Sequence, residues 1–95
     1  MSIAEIIVRR YIRLGLFPPK VNWPDSEIQR RSYSKLAAED LIRRFRVYPN
    51  RNPADIAWAF VKEMDRYCEI APNKEARFIF ETEREVAEDI LLQLL

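Results

Sequence analysis

Glu81, Glu85, Glu88 and Asp89 recur at three- and four-residue spacings, the interval that stacks carboxylates along one face of a helix. Two helices offering such ridges can hold magnesium or manganese, and Glu63, Asp65 and Glu69 are the candidates for a second ridge. Both sets lie opposite apolar faces, where a solvated surface is the simpler reading. A carboxylate metal-dependent enzyme is therefore the remote reading. Glu83 differs, because it falls inside an apolar face if its helix is continuous. It would need a cationic or hydrogen-bonding partner there, and an arginine from the first or second helix could supply one.

Other reactive constellations are absent by composition. The 95 residues include no histidine, which removes Ser-His catalysis and His-ligated metals. Cys68 is the single cysteine, so no internal disulfide or multi-thiolate site can form. It reads as a small buried thiol, consistent with a reducing compartment. Gly15 is the single glycine, which excludes glycine-rich phosphate loops. These residues imply no enzyme, no cofactor and no resident metal.

Charge is the most informative irregularity. Residues 1–51 carry a net +6 and residues 52–95 a net −5, within an overall +1. A basic half suggests contact with nucleic acid. Acid–base pairs four residues apart (Glu5/Arg9, Lys35/Glu39, Glu39/Arg43 and Asp40/Arg44) neutralise part of it. Arg10, Arg13, Arg30, Arg31, Arg46 and Arg51 remain as the freer cations. A helix-turn-helix reading fails on charge: the third helix, its natural recognition element, carries Asp55, Glu63, Asp65 and Glu69 against Lys62 and Arg66, and phosphate repels such a face.

The elements that must position these side chains read as helices, since apolar residues recur at helical intervals almost throughout. The expected fold is all-α, one domain over residues 1–95: a compact four-helix bundle-like domain with an extended Pro-rich strap between helices 1 and 2. The helices are expected at about 3–14, 26–46, 53–70 and 74–94, and the strap at 16–24. Ser2 and Glu5 form a capping box, and Gly15 offers a left-handed stop. Apolar residues cover about two thirds of helix 1, which places it centrally or in a subunit interface. Asp25 caps helix 2, and Ser32 with Ser34 could kink it. Asn52, Pro53 and Asp55 open helix 3. Thr82 with Glu85 is a second capping signal that would break helix 4. Short connections after helices 2 and 3 favour antiparallel neighbours.

No apolar run approaches the ~20 residues that cross a bilayer, and Glu5, Arg9 and Arg10 interrupt any signal-peptide pattern. The expected setting is cytoplasmic, with no membrane partner. Trp58, Phe78 and Leu92 fall off the core arcs of their helices, and Phe17 and Trp23 make the strap unusually apolar. This surplus suits a small non-catalytic module that binds another protein, or itself as a homodimer, by burying apolar anchors within a charged rim. The alternative is a nucleic-acid-associated regulator using the six arginines.

Overall fold

Four helices form where the caps and periodicity place them, in a computed structural model that describes residues 2–14 and 27–95, the side chains of Glu27, Ile28 and Arg30 excepted. They are α1 (Ile3–Arg13), α2 (Glu27–Val47), α3 (Pro53–Ile70) and α4 (Lys74–Leu94). The expected strap, the Gly15 stop and the Asp25 cap lie outside the described residues.

Local chemistry accounts for the starts of α1, α3 and α4. Ser2 Oγ accepts the Glu5 amide at 3.2 Å, one of the donors that a first turn leaves without an intrahelical partner. Asn52 Oδ1 accepts from Ala54 N at 2.9 Å, and Pro53 occupies the first helical position, where its missing N–H is harmless. Asn73 Oδ1 takes the Ala76 amide at 2.9 Å. α2 runs unbroken through Ser32 and Ser34. α4 is likewise continuous through Thr82. Thr82 does not cap a new helix: its Oγ1 donates to Phe78 O at 2.8 Å, one turn back. That bond satisfies the hydroxyl within the same helix and leaves Glu83 on the inward side.

The core gathers one stripe from each helix. Ala4, Val8 and Tyr11 meet Leu41, Ile42 and Phe45 of α2, Phe60 and Met64 of α3, and Val86 and Ile90 of α4. Phe60, Leu41 and Ile90 are the largest fully buried side chains, each worth about 1.5–3 kcal/mol in transfer terms. α3 and α4 make the most extensive pairing, whereas α1 packs on α2 and α4. Paired contacts fix the directions: Arg44 meets Glu63 while Val47 lies by Ile56 and Ala59, and Arg84 meets Asp65 while Phe80 meets Tyr67, so α3 is antiparallel to both neighbours.

Of the two places expected for α1, central or in a subunit interface, the first is corrected here: α1 is not central. α2 and α4 each touch the other three helices, and α1 is peripheral with an apolar outer crest. Ile3 is 77% exposed and Ile6 51%, with Leu14 also open. The surplus apolar residues of α1 therefore lie on both sides of the helix, one facing the core and one facing outward.

Candidate functional site: a basic-rimmed groove between α1 and α2

Antiparallel packing of α1 on α2 leaves an open groove of about 680 Å³ along their seam. Its apolar lining comes from Ile12, Ile42 and Val47, and its rim from Arg9, Arg13, Lys35, Arg43, Arg46 and Glu39. Five cations thus face one acid. The spacing explains the arrangement. Arg9 and Arg13 are one turn apart on α1, beside the residues that point at the core. Lys35, Glu39 and Arg43 recur every fourth residue on α2, so they share a single line.

The two ends of the groove differ. At one end Glu5, 5% exposed, anchors two rim arginines. Arg9 Nη2 donates to its Oε1 at 3.2 Å, and Arg46 donates from Nε to Oε2 at 3.3 Å and from Nη2 to Oε1. The Arg46 hydrogen bonds hold the Glu5 carboxyl below the usual carboxylate range, with Arg9 adding to the effect. At the other end Arg13 and Lys35 form no ion pair among the described residues. Arg43 turns away from Glu39 and bonds Asp40 at 2.5 Å. Among the described residues, positive charge without an ion pair therefore gathers at the Arg13 end, with Glu39 the one acid of the rim beside it.

Val47 and Arg43 also line a second hollow of about 350 Å³ with Tyr48, Arg51, Ile56 and Ala59. There Arg51 stacks over the Tyr48 ring, 4.9 Å from its centroid.

Beneath the opposite side of α2, Arg44 ties α2 to α3. Its Nη1 donates to Glu63 Oε2 at 2.9 Å and its Nε lies 3.5 Å from Asp40 Oδ2. The guanidinium sits 4.5 Å from the Phe60 ring centroid. Hydrogen bonding from Arg44 holds Glu63 below the ordinary carboxylate value. Glu83 faces the same cluster. Burial pushes its carboxyl up to about 7, Asp40 and Glu63 push the same way, and Arg44 opposes them. Arg44 is the nearby cation, but it bonds Glu63 and Asp40, and Glu83 forms no ion pair with it among the described residues, so the partner expected for Glu83 acts on it only through space.

The acids of the α4 ridge are engaged with partners on α4 and α1. Arg77 bonds Glu81 at 3.0 Å, Arg84 lies 4.0 Å from Glu88, and Tyr11 donates its hydroxyl to Asp89 at 3.1 Å. Burial, with Asp89 and Glu85 nearby, raises the Tyr11 pKa. Among the described residues, no three or more acids or cysteines gather so as to hold a metal ion. Cys68 is buried, and that burial pushes its thiol up. No helix among the described residues is long and apolar enough to cross a membrane.

The residues expected at an interface divide. Trp58 is 49% exposed, with Lys62 Nζ 5.1 Å from its ring centroid. Leu92 is 71% exposed on the outer side of α4. Phe78 is corrected: it is 3% exposed, its ring edge-on to Tyr33 at 6.0 Å. α4 needs a broad buried face because three helices flank it, and Phe78 fills the α2 side as Phe80 fills the α3 side against Tyr67. Phe17 and Trp23 lie outside the described residues.

The six expected cations do not share one surface. Arg10 and Arg13 stand near the C-terminal end of α1, while Arg46 and Arg51 lie toward its N-terminal end, where Arg46 meets Glu5. Arg31 is exposed early in α2, and the Arg30 side chain is outside the described set. Sequence reasoning missed Arg9, Lys35 and Arg43 as rim residues because their neighbours at four-residue spacing promised neutralisation. The available signal was the alignment of Ile12 with Arg9 and Arg13, and of Ile42 with Arg43, on adjoining strips. Comparison with protein-family models, curated proteins and solved structures found no match to this chain.

Proposed function

We propose that this protein is a non-catalytic helical module that docks a segment of another polypeptide in the α1/α2 groove. The observation that carries this reading is the pairing of an apolar floor (Ile12, Ile42, Val47) with a rim of five cations and one acid. Apolar anchors surrounded by charge are the anatomy of a protein-recognition surface. Nucleic acid is the weaker reading. Phosphate backbone has no use for an apolar floor, Arg46 is engaged with Glu5, and Arg51 is stacked on Tyr48. A cytoplasmic setting suits the module, because lone Cys68 needs no oxidising environment.

Peptide display tests the docking reading, with Val47→Asp protein as the counter-selection. Val47 is exposed, so the substitution alters the floor and spares the core. Peptides enriched on the wild type and lost on the variant support it. No enrichment, or equal enrichment on both proteins, overturns it.

The outer crest of α1 favours a second reading, self-pairing. Ile3, Ile6 and Leu14 present apolar surface that a two-fold contact would bury on both copies at once. Sedimentation equilibrium decides it: a concentration-dependent dimer abolished by Ile6→Glu supports pairing, and a monomer at high concentration removes it.

A further inference from the structure

We infer that the segment accepted by the α1/α2 groove is an acidic amphipathic helix, a step that rests on the docking reading above. Two features argue for a helix over an extended strand. Both walls are helices, whose mid-helix N–H and C=O groups are already bonded within the helix. An extended guest would find no backbone partners there and would leave its own amides unpaired against Ile12, Ile42 and Val47. A helix satisfies its own backbone and can seat side chains along a seam between two antiparallel helices, as a third helix does in a bundle.

Charge selects the acidic class. Arg13 and Lys35 have no ion pair among the described residues. They mark one end of the groove, opposite the end where Glu5 neutralises Arg9 and Arg46. A guest carrying carboxylates toward Arg13 and Lys35, with apolar side chains about two and three turns along over Ile42 and Val47, matches both features. A basic or neutral helix would leave the two cations uncompensated beside an apolar guest.

The test uses the full chain and a stapled helical peptide of about five turns, with Leu at positions i, i+3, i+4 and i+7 and Glu between. Three probes accompany it: a proline-interrupted peptide of the same composition, the Lys-for-Glu peptide, and duplex DNA. Binding is read by fluorescence anisotropy against wild type, Arg13→Glu/Lys35→Glu and Val47→Asp, with circular dichroism confirming the fold of each. The inference expects micromolar affinity for the stapled acidic peptide alone. It expects a loss of about tenfold or more on charge reversal and about fivefold or more for Val47→Asp. Equal or tighter binding of the proline-interrupted or Lys peptide, lost on Val47→Asp, overturns the acidic-helix assignment and leaves the docking reading standing. DNA binding indifferent to Val47, with every peptide inert, overturns both. Complete silence from all four probes overturns the acidic-helix inference, and display against the wild type then decides the docking reading independently.

Discussion

Replacing Glu83 by Gln should stabilise this protein at neutral and alkaline pH. Glu83 faces Asp40, Glu63 and Arg44 across the meeting point of α2, α3 and α4, and burial with two neighbouring acids lifts its carboxyl from 4.5 to about 7. An acid whose pKa is raised by folding contributes stability that is complete below its unfolded value and is lost as pH rises through the folded one. The window therefore runs from about 4.5 to about 7. At 1.36 kcal/mol per pH unit, the ceiling is about 3 kcal/mol, and partial solvent access reduces the expected gain to about 1–2 kcal/mol. Gln keeps the shape and the helix propensity and removes the charge, while Arg44 retains Glu63 and Asp40. Urea denaturation of both proteins at pH 4 and pH 8 measures the effect. The variant should match wild type at pH 4 and exceed it at pH 8. Equal stability at pH 8, or a gap of the same size at both values, would refute the assignment of Glu83 as a charge held against its surroundings.

Glu5→Gln should act in the opposite sense. Its carboxyl is held below the usual range by Arg46 and Arg9, so the variant should melt earlier at pH 7. The difference should fade as pH falls below the ordinary carboxylate value, a trend followed by circular dichroism. Phe60→Ala empties the centre of the core beside the Arg44 guanidinium and should cost about 3–5 kcal/mol in urea denaturation. Tyr11→Phe removes the hydroxyl bonded to Asp89 and should cost about 1 kcal/mol, seen as a lower midpoint with an unchanged helical spectrum.

The helices were legible because their signals are local. Ser2, Asn52 and Pro53 mark starts that the backbone obeys, and apolar spacing sets the inward stripes. Relations between helices were harder. α1 and α4 carry similarly broad apolar arcs, and only packing shows that α4 buries its arc against three neighbours while α1 leaves one side to solvent. Phe78 was misread as a surface residue for this reason. The Thr82 signal was ambiguous because a hydroxyl can cap forward or bond backward, and a buried site within a continuous helix selects the backward bond. The groove was hidden by counting acid–base pairs along one helix. Arg43 takes Asp40 and leaves Glu39, a choice that single-helix spacing leaves open.

The peripheral seat of α1 carries a thermodynamic consequence. Its anchorage rests on Ala4, Val8 and Tyr11, the Glu5 knot and one phenol–carboxylate bond, far less than secures α3. Amide protons of α1 should therefore trade with deuterated water through excursions that leave the α3/α4 pair intact. A guest clasping α1 to α2 would suppress those excursions. Protection gained by the amino-terminal helix would then report occupancy at a distance from any labelled group.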